Sequence, residues 1–399
     1  MGNDLWNYQQ MVPYFNKVET DTTYQDDPGD FHGGDGPIIC HRVPRDQWLP
    51  ASKAFEQACL DAGFSACEDA NAPGTTGVGP LPLNNPNGIR WSTAIGYLGL
   101  CRHRMNLTIR SEVFVKKIIF DTSGHEPKAT GVEVVSGDDT FIVEGEEIIL
   151  SAGAVVSPQI LMLSGIGPKN HLDSHGIETI HDSPGVGQNL ADHPMVYVTW
   201  KTKPEVDLDA LGPRIQLTLR YTADASDLEN DMIVYMMAVA SDRPERGGLR
   251  TNPIGIQTNL CINLAKGKGE VKLNSNDYRD QPYLDYNYLN EDEDRRRFRD
   301  GVRMLVGLES QSDMSTLIEE RLTPLDSDLE SDATLDSWLR KEVTTGHHIS
   351  CTNKLGPVSD PSAVVDQGGK VYGVKNLRVV DASITVSYTH LTLPTNREV

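Results

Sequence analysis

Two adjacent histidines, His347 and His348, open the segment GHHISCTNKLGPVSD, and their imidazoles suit proton transfer near neutral pH. An unperturbed imidazole titrates at ~6.5, so modest changes in its surroundings make it a working acid or base. Neighbouring side chains on an extended segment point to opposite sides, so at most one of the pair faces a given pocket. Other chemistries fit less well. No G-x-S-x-G elbow precedes the histidines, which disfavours a Ser–His–Asp hydrolase. Cys40, Cys59, Cys67, Cys101, Cys261 and Cys351 form no C-x-x-C pair or zinc spacing, so no metal is expected and the thiols read as reduced core residues. Gly185, Val186 and Gly187 invite a dinucleotide reading. That reading fails, because the third glycine is missing and Asp192, His193 and Pro194 stand where a helix is needed. Asp192 and His193 are therefore expected to serve as turn and packing residues.

A base needs a partner in the chemistry, and the stretch EIILSAGAVVSPQILMLSGIG, from Glu147 to Gly167, is built to approach one. Glu147 to Leu150 reads as a short buried strand, and Ser151, Ala152, Gly153 and Ala154 follow with little side-chain bulk. Ser157 is placed to cap a helix with Pro158 at its first position, and Gly165 to end it. In open α/β sheets ligands lie across the carboxyl ends of the strands, so such a turn lets backbone come close to a cofactor.

The elements that position these residues follow from periodicity. Residues 1–19 read as an amphipathic helical segment offering Trp6, Tyr14 and Phe15 to a core, and the Asp-, Gly- and Pro-rich residues 20–46 as an irregular surface loop. Leu49 to Phe64 has helical spacing of apolar residues, giving one buried face. β-Branched runs between Asn106 and Leu150 predict a three-stranded meander returning into a sheet strand. From Tyr197 to about Lys272 the alternation predicts an antiparallel sheet; Met232, Met236 and Met237 there suit core filling more than a pocket wall. Asn290 to Leu308 reads as a charged helix with one apolar face, and a short helix is expected around Leu335, Trp338 and Leu339.

These runs resemble the glucose–methanol–choline family of FAD-dependent oxidoreductases. SAGAVVSPQILMLSGIG is similar to its second signature, and the likeness continues at PGVGQNLADHP (184–194), GIRWSTAIGYL (88–98), QPYLDYNYL (281–289) and 348–383. The family's histidine is followed by two variable residues, a small residue and threonine. His348, Ile349, Ser350, Cys351 and Thr352 match, with Cys351 where glycine is usual, so the resemblance makes His348 the catalytic base. It implies FAD as cofactor, contacted by the backbone of Val115, by Ala152 and Gly153 at the turn, and by Asp381 and Ala382. The implied activity is oxidation of a small-molecule alcohol by hydride transfer to flavin N5, with the electron acceptor unspecified. Lyase or decarboxylase chemistry on the same scaffold, and a non-catalytic binding or scaffold module, remain open.

The fold class expected is α/β (α+β): an incomplete FAD-binding Rossmann-like domain with a β-meander, plus a substrate domain built on an antiparallel sheet with flanking helices. Its parts are cap and connecting elements (1–90), partial FAD-binding domain (91–195), substrate-binding domain (196–350), a return to the FAD-binding domain (351–385) and a tail that matches nothing in the family (386–399). The family's first strand and glycine-rich phosphate turn are missing before residue 1. Its second catalytic residue would fall near Thr392, which cannot do that work. The chain is therefore expected to be a fragment truncated at both ends and inactive alone.

With 399 residues the chain can bury a large core, and its formal charge of −21 argues against nucleic acid or anionic membrane as partner. No apolar run approaches the roughly 20 residues of a membrane span, and MGNDLWNYQQ lacks the features of a signal peptide, so a cytoplasmic protein is expected.

Overall fold

The structure is a computed structural model that describes residues 2–209, 212–241 and 253–386. The tail from residue 387, with His390 and Thr392, lies outside the described residues.

Helix α1 (Tyr8–Val18) leads into strand β1 (Glu19–Asp21), which pairs in parallel with β2 (Ile38–Cys40). Of the aromatics expected to supply a core here, Trp6 packs against one, while Tyr14 is 64% exposed. The irregular loop predicted for 20–46 is instead held by a buried ion network. Arg42 donates from Nη1 to Asp21 at 2.8 Å and from Nη2 to Asp69 at 2.7 Å, and His32 Nε2 lies 2.8 Å from Asp69. His32 Nδ1 faces Asp21 at 3.3 Å and Glu19 at 3.6 Å. Burial opposes charge on His32, but hydrogen bonds to Asp21, Asp69 and Glu19 outweigh it and push the imidazole up to about 10. Glu19, Asp21 and His32 bring ligand-type atoms within 4.8 Å of one another, a spacing that the ion pairs of His32 with both carboxylates account for. Charge pairing thus supplies the order that apolar periodicity does not.

Helix α2 (Pro50–Asp61) buries Phe55, Ala58 and Cys59 as its spacing predicts, and β3 (Gly77–Pro80) follows. The predicted meander is present as β4 (Phe114–Asp121), β5 (Lys128–Ser136) and β6 (Asp139–Glu144), paired antiparallel. Strand β7 (Ile148–Leu150) then feeds helix α3 (Gly153–Leu163). This helix starts earlier than the Ser157–Pro158 signal predicts, so Ser157 is not its N-cap and Pro158 lies inside it. The left-handed Gly165, at φ 84°, ends it as expected.

The centre of the molecule is a seven-stranded sheet. Its members are β8 (Pro194–Thr202), β9 (Ile215–Tyr221), β10 (Met232–Ser241) and β11 (Pro253–Ile262), then, beyond helix α4 (Asp292–Leu308), β12 (Ile318–Thr323). Helix α5 (Asp332–Glu342) precedes the two-residue β13 (Thr344–Thr345). The order is β12-β8-β11-β10-β9-β3, with β13 also against β8, and all pairings are antiparallel. Alternation along the strands gives this sheet two different faces. Val198, Trp200, Leu219, Val234, Met236 and Leu260 join α2 and α4 in the larger core. Met232 belongs to that core too, so packing accounts for Met232 and Met236, whereas Met237 lies outside it and accepts from Gln257 Nε2 at 3.1 Å. Met195, Ile233, Tyr235 and Cys261 form a small cluster with residues such as Leu81. The second large core gathers around α3, and there β14 (Leu377–Val379) pairs in parallel with β7.

Candidate functional site

The structure separates the two histidines: His347 is exposed in a left-handed conformation (φ 66°), whereas His348 is half-buried and lines a cavity of about 290 Å³. His348 is held by the loop before β8. Its backbone N–H donates to Asp192 Oδ1 at 2.9 Å, and its Nδ1 lies 3.0 Å from Nδ1 of His193. Asp192 Oδ2 in turn accepts from the Tyr288 hydroxyl and from Thr345 Oγ1. Ala191 and Ser350 exchange backbone hydrogen bonds at 3.1 and 2.9 Å, and Gly346 N–H donates to His193 O at 2.9 Å. A Cβ at Gly346 would stand 2.7 Å from that carbonyl, so the close approach needs glycine. Burial, helped by the neighbouring His348, holds His193 down at about 3, so its imidazole is neutral at physiological pH. Asp192 and His193, expected to be turn and packing residues, thus touch the candidate base directly.

The next residues of the histidine segment tie it to α3. Pro158 has no N–H, which leaves the Ala154 carbonyl without its helical partner, and Thr352 Oγ1 donates to that carbonyl at 2.6 Å. Cys351 N–H donates to Ala382 O at 3.1 Å, and Asn353 N–H to Ser383 O at 2.8 Å. Cys351 is fully buried with φ 72°, a left-handed conformation that explains why glycine suits this position in the resembling family. Asp381 caps the start of α3, accepting from Gly153 N–H at 3.0 Å and from Ser157 Oγ at 2.5 Å. A carboxylate is well placed at the positive end of a helix. Ser157 also accepts the Ala152 N–H at 3.1 Å, so it does satisfy a terminal amide, but from inside the helix.

Four of the five residues expected at the cofactor therefore gather in one place: Ala152, Gly153, Asp381 and Ala382. Val115 stands apart on β4, paired with Val134 and packed against the second core. The gathered turn fits a flavin cofactor on its own geometry. Gly153 has φ 83°, and a Cβ there would meet nothing within 4 Å, so backbone is open to a ligand at the helix start. Exposed Ile149, Val156 and Val380 flank it, an apolar surface that a large planar ligand can cover.

The second face of the central sheet lines the same cavity as His348, through Thr218 and Arg220 of β9 and Ile233 and Tyr235 of β10. The sequence reading missed the wall and the holding residues Tyr288, Thr345 and Thr352. Thr352 carried no signal of its own, since with Pro158 read as the first helical residue no carbonyl needs a donor from elsewhere.

A family model described as GMC oxidoreductase matches residues 1–195, and a second of the same description matches residues 265–394. The oxygen-dependent choline dehydrogenase 1 of Chromohalobacter salexigens is 32% identical over 420 residues, covering 99% of this chain and 73% of that protein. The crystal structure of pyridoxine 4-oxidase from Mesorbium loti is similar with a TM-score of 0.82 at 27% identity, covering 95% of this chain and 73% of that one. A formate oxidase of Aspergillus oryzae, in a structure concerned with modification of its FAD, shares the fold with a TM-score of 0.84 at 24% identity, over 98% of this chain and 76% of that one.

Proposed function

The chain belongs to the GMC oxidoreductase family, whose cofactor is FAD, and on that premise we propose that it oxidises a small-molecule alcohol with His348 as the base. The observation that carries the reading is the pair of links, Thr352 to Ala154 and Cys351 to Ala382, joining the segment of His348 to the open turn at Gly153. Bound FAD supplies the hydride acceptor. Ala152, Gly153, Asp381 and Ala382 would hold it, with Val115 contributing backbone.

His348 takes the hydroxyl proton of the alcohol. For its Nε2 to act as base, its Nδ1 must carry the other proton and donate it to His193 Nδ1. The neutral His193 accepts that hydrogen bond and so fixes the tautomer, while Asp192 anchors the backbone of residue 348. When Nε2 gains its proton, the imidazolium keeps the same hydrogen bond, and the ring needs no reorientation during the reaction.

The test is anaerobic mixing of the FAD-loaded protein with a panel of alcohols that includes choline, following loss of the visible absorbance of oxidised flavin. Wild-type protein should bleach, and His348→Gln should retain flavin but bleach about 10²–10⁴-fold more slowly. Unchanged bleaching in His348→Gln would remove the histidine from the chemistry. Failure of the purified protein to retain FAD would favour the binding or scaffold module instead.

A further inference from the structure

We infer that the substrate carries an anionic group, a carboxylate, at the end remote from its reacting hydroxyl, and that Arg220 binds it. The inference rests on the alcohol-oxidising reading above and names the class of alcohol.

Three arginines of the described chain are buried, and they are not alike. Arg42 faces Asp21 and Asp69, and Arg297 faces Asp231 and Asp294. Arg220 is 1% exposed and has no carboxylate partner among the described residues. Its Nη2 donates to the carbonyl and hydroxyl of Thr75 at 3.1 and 2.7 Å, whereas Nε and Nη1 are buried without a hydrogen-bond acceptor. Asp69 acts on it only from further off, its oxygens being taken by His32, Arg42 and the Asn71 N–H. Burial accordingly lowers the guanidinium below its usual value despite the pull of Cys67, Asp69 and Tyr235.

The arginine without a counter-ion is also the one at the cavity that His348 lines. Glu19, the carboxylate among the lining residues, faces protonated His32 at 3.6 Å and accepts the Gly33 N–H at 3.3 Å. A buried charge lacking a partner is costly, and a guanidinium with unused donors matches the two oxygens of a carboxylate. A quaternary ammonium would meet like charge in the same place. Phe15, Leu81 and Ile233 line the same cavity and give it an apolar part, suited to an alkyl or aryl body.

The test is calorimetric titration of the FAD-loaded protein with 4-(hydroxymethyl)benzoate, 4-methylbenzyl alcohol and choline, in wild type, Arg220→Met and Arg220→Lys. In wild type the carboxylate should bind about ten- to a hundredfold tighter than the neutral alcohol, the scale of a charged hydrogen bond in a buried site. Arg220→Met should abolish that preference and Arg220→Lys should keep part of it, with melting curves confirming that each variant folds. Should the Met variant not fold, the wild-type ligand series and the Lys variant decide. The inference is overturned if choline binds as tightly as the carboxylate, or if the preference survives in Arg220→Met. Tight carboxylate binding with no flavin bleaching by any alcohol would refute oxidation and leave the Arg220 site standing. Bleaching without charge preference would do the opposite.

Discussion

On the proposed reading, His193 and His348 concentrate the chemistry in one contact, Nδ1 to Nδ1 at 3.0 Å between residues 155 positions apart. His348 was legible in the sequence because its local pattern carries it. His193 was not, since a histidine before a proline in a turn-rich loop looks like packing, and only the fold turns that loop against residue 348. If His193 fixes the tautomer of the base, removing its acceptor should alter the acid–base behaviour of His348 as well as the rate. We expect His193→Phe, which keeps the buried ring volume, to lower the flavin-reduction rate about tenfold or more and to move the alkaline-going limb of its pH profile. A proportional fall in rate at every pH, with the limb unmoved, would make His193 a packing residue after all. Rescue by His193→Asn, whose side chain can still accept from Nδ1, would strengthen the assignment.

At the scale of elements, the helices and sheets followed their periodicity, and the departures occurred where side chains far apart in sequence satisfy backbone groups. Ser157 and Pro158 look like a helix start, yet α3 begins at Gly153 because Asp381 caps it from a distant strand end. Pro158 is then tolerated inside the helix because Thr352 supplies the hydrogen bond that proline cannot. That exchange predicts a specific coupling. Thr352→Val should destabilise the protein by about 1–3 kcal/mol, the cost of a buried carbonyl left unsatisfied. In a Pro158→Ala background the new amide can bond Ala154 O along the helix, so the same Thr352→Val change should cost about 1 kcal/mol less. Denaturant unfolding of the four proteins in this cycle measures the coupling; additive effects would mean that Thr352 and Pro158 act independently.

On the scale of the whole molecule, the chain carries a formal charge of −21, yet its least predictable segment, 20–46, is ordered by buried charges of both signs. Composition revealed the first fact and hid the second, because an Asp- and Gly-rich stretch gives no sign that Asp21, His32, Arg42 and Asp69 converge. None of the helices among the described residues is long and apolar enough to cross a membrane. The two kinds of charge respond differently to pH and salt. His32 is pushed up to about 10 in the folded protein from the usual 6.5, so the fold binds a proton that the unfolded chain releases between those values. Its contribution to stability is therefore complete below 6.5 and is lost as pH rises through 10. Surface repulsion among excess carboxylates also opposes the fold once they are ionised, but salt screens it, with a Debye length of about 8 Å at physiological ionic strength. The buried network is shielded from that screening. Chemical denaturation should accordingly show lower stability at pH 10 than at pH 7. Added salt should raise stability at both pH values while leaving most of the difference between them in place. In His32→Gln the difference should shrink. Were the alkaline loss removed by salt, or unchanged in His32→Gln, the surface rather than the buried network would govern the response.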